Sequence, residues 1–178
     1  MLVSIIIRTY NEQRYLEQLL DSINRQRCRS VEYEVIIVDS GSTDQTLTIA
    51  SRHHCRITHI SKKEFTFGRS LNNGCQFARG DILVFISGHC IPVDDVWLEE
   101  LCAPLLEGKA SYVYGRQIGK DTTKYSETRH FQKWFPDYPK LPQQGFFCNN
   151  ANAALTRSAW QRFRFDEDLT GLEDMHLA

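Results

Sequence analysis

The sequence predicts an α/β domain with an open, mostly parallel sheet and helices on both faces, and three observations carry that expectation. Apolar runs of strand length alternate with segments of helical spacing from the second residue onward. Polar clusters follow three of those runs directly: RTYNE at 8–12, VDSGSTD at 38–44 and SGHC at 87–90. In parallel sheets ligands bind beyond the carboxyl ends of the strands, so three clusters there define one crevice. Finally, 178 residues at 42% hydrophobic are enough to bury one core and too few for two full domains, which makes residues 1–178 a single domain.

Each element has its own signal. Leu2 to Ile7 is a β-branched strand, and Leu16, Leu19, Leu20 and Ile23 recur at helical spacing before a second strand, Tyr33 to Val38. Ser42-Thr43-Asp44-Gln45 has the form of a capping box opening a helix that carries Leu47 and Ile49-Ala50. Arg56 to Ile60 is a short third strand, Leu71 to Ala78 a helix, and Ile82 to Ile86 a buried fourth strand. Asp94 or Asp95 is placed to cap a helix through Trp97, Leu98 and Leu101. SYVYG at 111–115 is strand-like, whereas 116–145 has no clear period and reads as an irregular excursion over the sheet. Residues 147–155 regain extended character, Ser158 is the expected cap of a short helix through Trp160 and Phe163, and GLEDMHLA ends in mid-helix, as a piece of a longer protein would.

Composition excludes several classes. A net charge of -1, from 21 basic and 22 acidic residues, offers no polycationic face for nucleic acid. The first apolar run lacks the basic flank of a signal peptide, and nothing approaches the roughly 18–20 apolar residues of a membrane span. The expectation is a cytoplasmic domain, held if at all at the inner face of a membrane by segments outside this chain. Six cysteines without a CxxC pair point to reduced, mostly buried thiols, and His53-His54-Cys55 to a helix end instead of a metal site.

Taken alone, the clusters admit two readings each. Asp39 closes an apolar strand over a helix start, where its carboxylate accepts from a base or ribose, or else caps the helix together with Ser42. Tyr10 and Asn11 are a binding pair, or a packing ring and a helix cap. No GxGxxG is present, so the dinucleotide fingerprint is missing.

The motifs RTYNE, VDSGSTDQT at 38–46, FGRSLNNGCQFARGDILVFI at 67–86, and NNANAAL followed by FDEDLTGLED within 149–174 occur in one order. In these the chain resembles the family 2 glycosyltransferases of the GT-A fold, over almost its whole length. The resemblance implies an inverting transfer from a nucleotide sugar, most simply a UDP-sugar, to a saccharide or lipid-linked acceptor in polysaccharide or glycolipid synthesis. It implies that Thr9, Tyr10, Glu12, Asp39 and Ser42 hold the donor nucleoside, that Arg69, Asn72 and Asn73 border the nucleotide and its diphosphate, and that Glu173-Asp174 supply the catalytic carboxylate, Asp174 being the base.

The chain departs from the family at the end of the fourth strand, where an Asp-x-Asp type motif is replaced by Ser87-Gly88-His89. A departing diphosphate needs a positive partner. His89 can ligate a divalent cation, Mn²⁺ in preference to Mg²⁺ because Mn²⁺ accepts nitrogen, or can meet phosphate as imidazolium, while Gly88 allows close approach. The departure also leaves open a non-catalytic sugar-nucleotide-binding module; a sugar nucleotidyltransferase would need a glycine-rich basic loop that is not found. The rings of Trp134, Phe135, Tyr138, Phe146 and Phe147 either face sugars or pack the excursion down.

Overall fold

The computed structural model describes residues 1–120 and 123–178. Strand β1 (Leu2–Thr9) lies inside the sheet because alternate residues find apolar partners on both faces: Val3, Ile5 and Ile7 enter one core and Ile6 the other. Each such isoleucine contributes about 1.5–3 kcal/mol by leaving water. Parallel to β1 lie β2 (Glu32–Asp39) on one side and β4 (Ile82–Ser87) on the other, with β3 (Arg56–His59) parallel to β2. Strand β5 (Tyr112–Tyr114) and strand β6 (Asn152–Thr156) complete the order β3-β2-β1-β4-β6-β5, with β6 antiparallel to both its neighbours.

Helices α1 (Leu16–Asn24), α2 (Thr46–Arg52) and α4 (Trp97–Leu106) cover one face, burying Leu16, Leu19, Leu20, Ile49, Leu98 and Leu101. The other face receives α3 (Phe67–Phe77) and α6 (Arg157–Arg162), through Leu71, Cys75 and Trp160. Gly74 lets α3 lie flat, since a Cβ there would stand 2.5 Å from Ile6 Cγ2 and 2.9 Å from Val38 Cγ2. Among the described residues no helix is long and apolar enough to cross a membrane. All six cysteines are free.

Four boundaries differ from the sequence expectation, each for a local reason. Helix α2 begins at Thr46, not Ser42, because the Ser42 hydroxyl is spent on Asp39 and Asp44 accepts from both the N–H and the hydroxyl of Thr46. Neither Asp94 nor Asp95 caps α4: Asp94 accepts from Val96 N at 3.1 Å, and Asp95 pairs with Arg27 at 2.7 Å. Helix α3 starts earlier than Leu71, capped by Thr66, whose hydroxyl accepts from Arg69 N at 3.1 Å. Thr156, not Ser158, caps α6.

The excursion is a correction of substance. Within 116–145 stands helix α5 (Tyr125–Trp134), none of whose residues is fully buried; Thr128, Phe131 and Trp134 are half-buried along one side. It is anchored at its end, where Phe135 is buried and Trp134 stacks on Phe147 at 4.5 Å between centroids. Most of the rings therefore pack against one another, with Tyr138 and Phe146 left exposed.

A polar knot ties the amino-terminal ends of the strands. Glu34 Oε1 accepts from Ser4 Oγ and from Arg79 N, both at 2.7 Å, while Oε2 pairs with Arg56 at 2.6 Å. Burial pushes the Glu34 pKa up, but the bonds from Ser4, Arg79 and Arg56 outweigh it and hold the carboxyl below its ordinary value. A depressed folded pKa means that this stabilisation is complete above the ordinary carboxylate value of 4.5 and is lost as pH falls through the folded one. Glu34→Gln is expected to lower stability by about 1–2 kcal/mol at neutral pH in urea denaturation, and the gap from the unchanged protein should close in acid.

Candidate active site

The crevice is built by the ends of β1, β2 and β4, and its geometry starts from Asp39. That carboxylate is 1% exposed, and four donors reach it. Thr9 Oγ1 and Ser42 Oγ donate to Oδ1 at 3.0 and 2.5 Å, and the N–H groups of Gly41 and Ser42 donate to Oδ2 at 2.9 Å each. A carboxylate has about four acceptor positions, so all of them are used internally. Asp39, Thr9 and Ser42 thus shape the turn after β2 through these four internal bonds.

Asn11 extends the lock. It adopts a positive φ of 55°, donates its N–H to Ser42 Oγ at 2.9 Å and accepts from Thr43 N at 2.9 Å. Glu12 N donates to Thr46 Oγ1 at 2.8 Å, so the loops after β1 and β2 move as one body. On the rim the half-exposed Tyr10 ring carries Lys62 Nζ at 4.2 Å from its centroid.

Across the crevice, His89 Nδ1 lies 3.2 Å from Glu12 Oε1. Gly88 permits this approach, since a Cβ would stand 3.0 Å from Glu12 Cγ and 3.2 Å from its Cδ. Satisfying the pair requires a proton on Nδ1, which leaves Nε2 to face a ligand. Among the described residues no group of three His, Cys, Asp or Glu is placed to hold a metal.

Helix α7 (Glu173–Leu177) brings the carboxylates to the opposite wall. Asp174 Oδ2 accepts from Asn150 N at 3.2 Å, and Oδ1 from Met175 N at 2.9 Å. Glu173 is buried, 3.6 Å from Arg8 NH1. Burial pulls the Arg8 pKa down while Glu173 and then Asp174 push it back up. Cysteine chemistry is absent here: burial raises the Cys90 thiol and pushes Cys148 up to about 12, so neither is a thiolate at neutral pH.

Three expected donor contacts lie elsewhere. Asn72 is buried, donating to Phe165 O and Glu167 Oε1 at 2.9 Å and accepting from Trp160 Nε1 at 2.9 Å. Arg69 is held by Glu167 at 3.0 Å and by Glu64 O at 2.9 Å, and Asn73 accepts from the Thr58 hydroxyl at 3.0 Å. All three brace α3. The residues given no role from sequence are Arg8 and Asn150; the visible signal for Arg8 was a charge closing an otherwise apolar strand.

Residues 4–169 match the family described as Glycosyl transferase family 2. The chain belongs to that family. The O-antigen chain rhamnosyltransferase RfbN of Salmonella typhimurium is 28% identical, over 100% of this chain and 60% of its own length. The poly(ribitol-phosphate) β-N-acetylglucosaminyltransferase TarS of Staphylococcus aureus is 31% identical over 48% of this chain and 16% of its own. This family 2 chain therefore spans less than two thirds of either relative. In structure it is similar to S. aureus TarS 1–349 in complex with UDP, with a TM-score of 0.79 and 21% identity over 99% of this chain and 54% of that one. It is also similar to the mannosyltransferase PcManGT of Pyrobaculum calidifontis in complex with GDP-Man and Mn²⁺, with a TM-score of 0.74 and 23% identity over 98% and 50%. At such identities the likeness establishes the fold, that of the GT-A glycosyltransferases, and the expected fold class stands.

The lock at Asp39 makes a graded prediction. Asp39→Asn keeps an acceptor for the two backbone N–H groups and a donor for the two hydroxyls, and should cost about 1 kcal/mol in urea denaturation. Asp39→Ala strands both N–H groups and should cost at least about 3 kcal/mol; equal losses from the two variants would refute the assignment.

Proposed function

We propose that the chain is the donor-binding and catalytic part of an inverting glycosyltransferase, moving a sugar from a nucleotide sugar to an acceptor hydroxyl. The observation that carries this reading is the convergence, at the carboxyl ends of three parallel strands, of a braced donor turn, the Glu12–His89 pair and Asp174 on the facing wall. A UDP-sugar is the donor this reading favours, supported by the complexes of TarS 1–349 with UDP and UDP-GlcNAc. The acceptor in this reading is a saccharide or lipid-linked compound of polysaccharide synthesis, a class favoured by the similarity to an O-antigen chain rhamnosyltransferase and a poly(ribitol-phosphate) β-N-acetylglucosaminyltransferase. The working place of the chain is then the cytoplasm or the inner face of a membrane, and nucleic acid is not a partner.

In the reaction, Asp174 accepts the proton of the acceptor hydroxyl, whose oxygen attacks the anomeric carbon as the bond to the diphosphate oxygen breaks. The electron pair leaves with the diphosphate, and one displacement inverts the centre. Asn150 N and Met175 N hold the Asp174 carboxylate in place through its two oxygens. Tyr10 borders the nucleoside, and Glu12 orients the His89 ring so that Nε2 meets the diphosphate.

A divalent cation would fit this pair in place of the proton between them, with Glu12 Oε1 and an unprotonated His89 Nδ1 as protein ligands and phosphate and water completing the shell. Bound there, Mn²⁺, or Mg²⁺ less readily given the nitrogen ligand, would supply charge neutralisation for the diphosphate.

Calorimetric titration of UDP, GDP, CDP and dTDP with and without Mn²⁺ tests the donor half. One diphosphate should bind in a Mn²⁺-dependent way, and His89→Ala should weaken it by about 10–100-fold. Loss of affinity without any Mn²⁺ dependence would instead assign His89 to direct phosphate contact, no binding at all would overturn the donor half, and binding without transfer would favour a non-catalytic sugar-nucleotide-binding module. Asp174→Asn should keep diphosphate affinity while transfer falls by roughly 10²–10⁴-fold; loss of both would make the residue structural.

A further inference from the structure

Resting on the assignment of Asp174 as the base, we propose that Arg8 is a positioning residue for this reaction. Its half-buried guanidinium docks the first turn of α7, and with it Asp174, onto the carboxyl end of β1.

Helix α7 cannot place itself. It has five residues, too few for a helix to hold together in water without tertiary contacts. The residue before it, Leu172, sits in the left-handed region at φ 63°, unfavourable for a side chain branched beyond Cβ, and is 65% exposed, so its own packing does not enforce that turn. Something else must hold the turn. At the far end Leu177 packs against the second core, and at the near end there are two ties, Asn150 N to Asp174 Oδ2 and, from a charged side chain, Arg8 NH1 to Glu173 Oε1.

Arg8 itself is fixed from three directions. Its backbone is paired to Val38 of β2 and Ser87 of β4, its NH1 reaches Phe67 O at 3.4 Å, and its guanidinium lies 4.9 Å from the Phe67 ring centroid at the start of α3. The Glu173 side chain is only 6% exposed, and a carboxylate so far out of water needs a cation beside it. Arg8 is the cation the structure provides. Because Glu173 and Asp174 are consecutive, fixing the first sets the origin of the second, and a displacement of about 1 Å at a reacting group is enough to lose about 100-fold in rate.

A positioning role differs from both a phosphate contact and a purely structural one in how it divides between kcat and affinity. Arg8→Met, which fills the same space without charge, should lower kcat by about 10–100-fold while the affinity for UDP, measured by calorimetry, changes less than about threefold. Arg8→Lys, which keeps the charge but loses the planar fork, should recover part of that loss. Glu173→Gln breaks the tie from the other side and should reproduce the kcat defect; this keeps the test alive if Arg8→Met fails to fold. Transfer within twofold of the unchanged protein in Arg8→Met, or a loss confined to UDP affinity, would overturn the proposal. Asp174→Asn, assayed alongside, separates the failures. If that variant is active, the base assignment has failed and takes this inference with it; if it is inactive while Arg8→Met is fully active, only this inference has failed.

Discussion

The buried carboxylate of Asp39 is the constraint on which the rest of the crevice depends. It stands at the end of β2, removed from water, and is stable there because two backbone N–H groups and two hydroxyls converge on it. An ionised group in that position without those donors would cost several kcal/mol, so the turn through Gly41 and Ser42 has little freedom to adopt another shape. Gly41 supplies the positive φ of 89° that brings its N–H inward. From Ser42 the order passes to Asn11 and from Thr46 to Glu12, and Glu12 meets His89 across the crevice. A single desolvated anion thereby fixes two loops, and through them the strand end that carries the imidazole.

The opposite wall uses the same logic with the charges exchanged. There a half-buried cation, Arg8, receives the buried carboxylate of Glu173, and a second polar bracket, Asn72, seizes the chain at Phe165 and Glu167 before it reaches α7. The apolar core supplies most of the stability, yet it does not say where a five-residue helix should sit. Directional bonds to buried groups do, because leaving any of them unmade costs about 1–3 kcal/mol. Arg8 and Thr9 are neighbours on β1, one facing the carboxylates of α7 and the other bonded to Asp39, so the turn after β2 and the α7 wall are referred to one strand.

The extent to which this was legible in the sequence follows from the range of the interactions. Strands and amphipathic helices announce themselves through local period, and β1, β2, β4, α1 and α4 lie within a few residues of expectation. Helix α5 presents only Phe131 and Trp134 as large apolar residues to the body of the protein, too short a stripe to stand out from the charged residues around it. Ser42 resembled a helix cap, but its hydroxyl is claimed by Asp39, a competition that only the folded turn decides. Asn72 looked like a ligand contact because its partners, Trp160, Phe165 and Glu167, stand some 90 residues further along the chain, 88 in the case of Trp160. Arg8 was hidden for the same reason, its partner being near the other end of the sequence. The chemistry of the site was visible as residue types at strand ends; which of them face the ligand and which hold the others was not.

Strand β6 runs against β4. In a wholly parallel sheet the segment that reaches the crevice must follow a strand, and its length is then tied to the helix that comes next. Here the segment that reaches it, through Asn149 and Asn150, precedes its strand and follows the long passage from β5. That passage enters and leaves through two paired strands whose register does not depend on what lies between them. The architecture therefore separates two inheritances: one half of the crevice is written into the sheet and is slow to change, while the other hangs from a loop free to lengthen, shorten or be exchanged.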